Sequence, residues 1–222
     1  MKHAITVSKE DYLKAILEAE SEGEHVISAT LAHWLSVSPP AVTMALKRLK
    51  RDGFVEVKND GAVRLSARGK EAAYRTALRH YLIERMLAEI FGMKWYEVHD
   101  EAERLEHAVS PAFEARLIEK LGEKAPGPHG HSVLPENPER RRRRGFVQLS
   151  DAPRGEYVVE SIYGRDTQML LFLNKAGIGP QTGVRVLERN YDQTVSIETA
   201  TGKSTLGRPA AEKVWVKRKH IK

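Results

Sequence analysis

Between His99 and His107 the chain reads His-Asp-Glu-Ala-Glu-Arg-Leu-Glu-His. A helix through this stretch gathers His99, Glu103, Glu106 and His107 onto one side, within roughly a third of the circumference at about 100° per residue. Imidazole and carboxylate groups three or four positions apart on a helix can share one cation. A second pair at this spacing, His80 and Glu84, falls within residues 66–91, which also read as a long helix. The chemistry implied is divalent-metal binding; the plain alternative is a solvated, ion-paired helix face. The chain has no cysteine, so thiolate ligands, disulfides and Cys-based zinc or iron–sulfur sites are excluded. Any metal must be held by oxygen and nitrogen.

The elements that position these groups come next. A chain of 222 residues is ample for two domains or three small ones. Thirty-six Lys and Arg against 30 Asp and Glu, with a pI near 9.4, tilt the chain modestly towards polyanions such as nucleic acid. No apolar run approaches the roughly 20 residues of a membrane span, and residues 1–8 lack the apolar stretch of a secretion signal, so a soluble cytoplasmic protein is expected.

The first third reads as a winged helix-turn-helix. Tyr12, Leu13, Ile16 and Leu17 give an amphipathic first helix over residues 7–20, opened by Ser8 with Asp11 three residues on. Residues 28–35 form a second short helix and Ser36-Val37-Ser38 a turn. Ser38 caps, and Pro39 begins, a third helix running through Lys50, with Val42, Leu46 and Leu49 facing the core. That arrangement leaves Ser38, Pro40, Ala41, Thr43, Met44 and Lys47 on exposed or groove-facing positions, with Arg48, Lys50 and Arg51 adding charge. A recognition helix needs small residues to approach base edges and Lys or Arg to neutralise phosphates. Met44 offers only apolar contact, for example with a thymine methyl. Residues 54–57 and 62–65 flank Asn59-Asp60-Gly61 and predict a hairpin wing, from which Lys58 and Arg64 reach the DNA backbone.

Taken together, Asp11-Tyr12-Leu13, Ser38-Pro39-Pro40-Ala41-Val42-Thr43, Arg51-Asp52-Gly53-Phe54-Val55, Leu65-Ser66-Ala67-Arg68-Gly69-Lys70, His80-Tyr81-Leu82-Ile83-Glu84-Arg85, Val98-His99-Asp100-Glu101-Ala102, Glu106-His107 and Pro128-His129-Gly130 resemble the diphtheria toxin repressor family of metal-activated transcription regulators. The likeness runs nearly end to end. It implies an α+β chain with an N-terminal winged helix-turn-helix, a helical dimerisation domain and a C-terminal SH3-like small β-barrel, here residues 1–75, 76–144 and 145–222. It further implies a homodimer and a double-stranded DNA operator, and the lack of a long apolar run adds the expectation of no membrane association.

The same resemblance implies a regulatory metal site of Asp11, Glu103, Glu106 and His107, and a second site of His80, Glu84 and His99. Positions matching Asp11 and Glu103 are commonly Met and Cys in iron-responsive members and Asp and Glu in manganese-responsive ones. Hard carboxylate oxygens in place of sulfur suit Mn²⁺, with Fe²⁺ as the alternative. Two departures stand out. Lys14 occupies the place where members lacking the third domain carry a second carboxylate, which argues against a paired-metal cluster. Gly127 stands where some members place a Cys before Pro-His-Gly, so completion of the second site falls to Glu160, Asp166 or Gln168, with Asp166 and Gln168 preferred. His129 and His131, in a Gly/Pro-rich loop, are expected to face solvent.

Residues 77–122 supply dimerisation helices, with Leu78, Tyr81, Leu82, Met86, Leu87, Ile90 and Phe91 forming apolar faces for core and partner. Residues 125–145 read as a connector, and Arg140 to Arg144 as a solvated linker in preference to a phosphate contact. Short strands are expected at 155–162, 183–187, 194–198, 204–206 and 213–217, with a helix at 167–176. Two rivals remain: a winged-helix regulator indifferent to metal, and a metal-dependent phosphohydrolase built around His99-Asp100.

Overall fold

The computed structural model describes residues 6–134 and 136–219. The reading of residues 1–8 as carrying no secretion signal falls largely outside them. Helix α1 (Val7–Ser21) starts one residue before Ser8, with Thr6 in the N-cap position and its carbonyl accepting from the Lys9 and Glu10 amides. Ser8 therefore does not cap, and Asp11 is not tied up in a capping box. After α2 (Ser28–Trp34) the chain turns at Ser36, whose φ is +52°, and Ser38 takes the extended conformation that precedes a helix. Pro39 then opens α3 (Pro39–Arg51), because a proline at the first helical position gives up no amide the helix needs. Val42, Leu46 and Leu49 enter a core with Leu13, Ile16, Leu31 and Phe54. β1 (Val55–Val57) and β2 (Val63–Leu65) form the expected antiparallel hairpin.

Ser66 caps α4 (Ala67–Glu89) by accepting the Gly69 amide at 3.0 Å. Gly69 lets this helix press on the hairpin, since a Cβ there would lie 2.0 Å from the Phe54 carbonyl oxygen. α4 crosses the expected boundary at residue 75 without a break. Its N-terminal part contributes Ala73 to the first core, and its later turns contribute Leu78, Leu82, Ile83 and Leu87 to a second core shared with α5 (Val98–Leu105) and α6 (Pro111–Leu121). Ile90 and Phe91 lie exposed beyond the end of α4.

The connector is more ordered than its charge suggests. Residues 138–143 form a short helix, α7 (Pro138–Arg143), and Arg141 is buried in it. Its guanidinium pairs with Glu22 at 3.3 Å and lies 4.8 Å from the Trp215 ring centre. The solvated-linker reading fails at this residue, because a carboxylate and an aromatic face replace the water the charge gives up. The strand β3 (Phe146–Gln148), unrecognised in the sequence, follows a turn at Gly145. It joins β4 (Gly155–Ile162), β5 (Gly183–Arg189), β6 (Val195–Thr199), β7 (Gly202–Leu206) and β8 (Val214–Arg218) in one antiparallel sheet of order β3-β8-β4-β5-β6-β7. Breaks in register near Val159 and Val186 bend the strands around a third core, capped by α8 (Thr167–Lys175). A short turn of helix, α9 (Arg208–Ala211), leads into β8. Trp95 and Tyr96, from the loop before α5, pack on that core and join the second domain to the third. Among the described residues no helix is long and apolar enough to cross a membrane.

Candidate metal centre

His80 and Glu84 stand one turn apart on α4, and His99 sits in the first turn of α5, directly opposite. All three are buried. His80 Nε2 lies 3.0 Å from Glu84 Oε1 and 3.0 Å from His99 Nδ1, and His99 Nδ1 lies 3.2 Å from Glu84 Oε1. Such a triangle of donors matches one face of an octahedron with metal–ligand bonds of about 2.2 Å. His80 Nδ1 is 2.6 Å from Glu106 Oε2, so its N–H donates there and Nε2 is aimed at the triangle. Burial is the largest influence on Glu84 and opposes its charge, yet His129 and His80 outweigh it and hold the carboxyl well below the usual range. Burial likewise pushes His99 down, towards the neutral form a metal requires.

His129, expected in solvent, is instead 2% exposed. Its Nδ1 lies 3.5 Å from Glu84 Oε2, and its Nε2 is a buried nitrogen with no hydrogen-bond partner. Two glycines explain the inversion. Gly130, at φ +88°, packs so closely on β4 that a Cβ would fall 2.0 Å from the Glu160 carbonyl oxygen, and a Cβ on Gly164 would come within 2.7 Å of the imidazole. The signal legible in the sequence is the glycine after His129, which permits the inward turn. A cavity of about 50 Å³ opens alongside, lined by His80, Glu84, His99, His129, Tyr163 and Arg165. A buried imidazole with one nitrogen towards Glu84 and the other without a partner, beside a bis-histidine carboxylate triangle, fits a divalent cation. Gly130→Ala is expected to cost about 2 kcal/mol or more in thermal unfolding, through the strained φ and the carbonyl clash, and to weaken metal binding at this triangle.

Asp166 and Gln168 are placed elsewhere. Both are exposed, Asp166 spends its carboxylate on the Met169 amide as the cap of α8, and neither falls in a donor group among the described residues. His129 is the residue the sequence reading missed.

The second donor group spans two domains. Asp11 projects from α1, while Glu106 and His107 follow the end of α5. His107 Nε2 is 2.8 Å from Asp11 Oδ1 and 3.4 Å from Glu106 Oε1. Its Nδ1 is 2.8 Å from Glu10, which Arg79 holds in turn at 2.8 Å. Burial outweighs the pull of His107 and Lys14 and pushes the Asp11 carboxyl up. The helix expected through His107 ends at Leu105, where a turn closes with the Ala108 amide on the Leu105 carbonyl. The four residues are divided instead of forming one donor group. His99 turns to the first triangle, Glu106 and His107 turn to Asp11, and Glu103 stands between them. Glu103 Oε1 is 3.6 Å from His99 Nε2, 3.7 Å from Lys14 and 3.5 Å from Arg165, outside the Asp11 group.

Arg165 ties the third domain in. It pairs with Glu18 on α1 and lies 5.1 Å from the Trp34 ring centre at the end of α2.

On the outer face of the first domain Ser38, Pro40, Thr43, Met44, Lys47, Lys50, Arg51, Lys58 and Arg64 are all exposed. Met44, at 56%, is a large apolar side chain left in solvent. Arg51, Lys58 and Arg64 pair with Asp52, Glu56 and Glu20, whereas Lys47 and Lys50 make no ion pair among the described residues.

A winged-helix domain whose first helix shares a donor group with a helical second domain, followed by a small antiparallel β domain, has the architecture of the metal-dependent repressors. The chain belongs to the iron-dependent repressor family. Residues 4–63 match its N-terminal DNA-binding domain, residues 66–135 its metal-binding and dimerisation domain, and residues 147–218 the FeoA domain, which is SH3-like. The iron-dependent repressor IdeR of Mycobacterium tuberculosis is 32% identical over 190 residues, 80% of this chain and 82% of that protein. The diphtheria toxin repressor of Corynebacterium jeikeium is 37% identical over 124 residues, 56% of this chain and 52% of that one. A manganese-dependent transcriptional repressor in complex with manganese superposes with a TM-score of 0.81 at 34% identity, covering 95% of this chain and all of that one (100%). The manganese regulator SloR gives 0.79 at 27% identity, covering 97% and 100%.

Proposed function

We propose that the protein is a metal-activated, dimeric DNA-binding transcription regulator responsive to Mn²⁺, or alternatively Fe²⁺, acting as a repressor of metal-uptake genes, with units at residues 1–75, 76–144 and 145–222. The observation that carries this reading is the origin of the donors: Asp11 from the helix-turn-helix domain, Glu106 and His107 from the second. When bound, a divalent cation supplies positive charge to groups of both domains at once. Asp11 then anchors α1 against α5, and α3 moves with α1 because Leu13 and Ile16 share its core. In a dimer with recognition helices about 34 Å apart, fixing that relation favours simultaneous entry into successive major grooves, and metal and DNA bind with positive coupling. The iron- and manganese-dependent relatives favour these two ions, and the oxygen-rich Asp11 and Glu106 pair favours Mn²⁺ between them.

A regulator rather than a hydrolase is supported by Asp100, which a His-Asp metal centre requires. Asp100 is exposed and accepts from the Thr167 hydroxyl at 3.0 Å, turned from the buried triangle.

The test is titration of Mn²⁺, and of Fe²⁺ without oxygen, into chelator-stripped protein and DNA from upstream of its own gene, at fixed salt. Affinity rising with metal supports the reading; tight sequence-specific binding indifferent to every metal overturns it in favour of a metal-independent winged-helix protein. Replacing Lys47, Lys50 and Arg51 by Ala should lower the slope of log K against log salt by about 0.9 for each phosphate the variant no longer neutralises, with the metal midpoint unchanged.

A further inference from the structure

We propose that Lys14 is a resident cation of the centre that sets the metal concentration at which the Asp11, Glu106 and His107 group fills, an inference that rests on the regulatory reading above. Lys14 is 3% exposed. Its Nζ lies 2.7 Å from each oxygen of Glu106, 3.4 Å from His80 Nδ1 and 3.7 Å from Glu103 Oε1. The ammonium thus stands between the two donor groups, touching the one carboxylate that reaches both. Glu106 Oε2 meets His80 of the triangle, and Oε1 faces His107 of the regulatory group.

This geometry has two opposed effects. Without metal, Lys14 compensates the charge of Glu106, itself 1% exposed, and links α1 to the end of α5, so the regulatory donors stay assembled. With metal, the entering ion shares Glu106 with an ammonium and is repelled by it through a buried, poorly screened gap. A neutral side chain of the same length removes the repulsion and leaves Glu106 in need of a counter-charge, and both changes tighten metal binding. Lys14 is a positioning residue that trades affinity for order in the metal-free state.

The experiment measures Mn²⁺ binding to the full-length protein without DNA, reading free Mn²⁺ by electron paramagnetic resonance. Lys14→Met and Lys14→Gln are compared with wild type, and Lys14→Arg serves as the charge-preserving control. The regulatory class of site is identified as the one that Asp11→Ala removes. About ten-fold or greater tightening of that class in Met and Gln, near-wild-type affinity in Arg, and a lowered melting temperature of the metal-free Met and Gln proteins are expected. Unchanged or weaker affinity in Met and Gln proteins with native circular dichroism overturns the proposal and leaves Lys14 a purely structural ion pair. Wild-type protein that binds no Mn²⁺ overturns the regulatory reading instead.

Discussion

Asp11→Ala is expected to abolish the Mn²⁺ response of DNA binding while leaving the fold intact. Asp11 is the one member of its donor group carried by the DNA-binding domain, and its Oδ1 meets His107 Nε2 at 2.8 Å. Truncation leaves Glu106 with Lys14 and His80, and His107 with Glu10, so no buried charge is orphaned. The carboxylate is 40% exposed, which keeps the stability cost within about 1 kcal/mol. What disappears is the path from α1 through a shared ion to α5. A coupling of about 1–3 kcal/mol between metal and DNA corresponds to a 5- to 150-fold change in operator affinity, and the variant should lose that whole factor. Fluorescence anisotropy on a labelled operator, with and without saturating Mn²⁺, reads it directly. Equal Mn²⁺ enhancement in variant and wild type would move the switch to the His80, Glu84 and His99 triangle, which does not include α1.

The winged helix was legible because its determinants are local. Serine and two prolines at 38–40 start a helix, Val42, Leu46 and Leu49 recur at helical spacing, and Asn59-Asp60-Gly61 turns a hairpin. The donors were legible as residue types but not as groupings. Helical periodicity placed four residues on one face, yet α5 stops at Leu105, two residues short of His107, and His99, Glu103, Glu106 and His107 meet different partners. Residue spacing does not reveal that end, because no glycine or proline marks it. His129 was hidden for another reason: its burial is decided by the close approach of Gly130 to the Glu160 carbonyl and of Gly164 to the imidazole, contacts distant in sequence, and loop composition alone predicts exposure. Arg141 makes the same point, since its partners Glu22 and Trp215 lie at opposite ends of the chain.

Metal-free and metal-loaded protein should differ in their response to alkaline pH, the first losing stability and the second holding level, and His80 is the reason. Burial is the largest single influence on this imidazole and pulls its pKa down, as does Lys14, but Glu84 and the hydrogen bond to Glu106 prevail and raise it to about 9 from 6.5. A folded-state pKa above the unfolded value means that protonation favours the fold. The contribution is therefore complete below about pH 6.5 and drains away as pH rises through about 9. At about 1.4 kcal/mol per pKa unit it amounts to at most about 3.5 kcal/mol, an upper bound because Glu84, Glu106 and Lys14 titrate as one coupled cluster with it. A cation at the triangle needs Nε2 without its proton, so metal affinity there should rise about ten-fold per pH unit from 7 to 9 and level off above. His99, pushed down by burial, titrates below this window and does not blur it. Thermal unfolding at pH 6.5, 7.5 and 8.5 should show the metal-free midpoint falling and the separation from the Mn²⁺-loaded midpoint widening, with the pH dependence of that separation lost in His80→Gln. Parallel curves across the range would mean that His80 is already neutral in the metal-free protein, and that the Glu106 carboxylate is balanced by Lys14 alone.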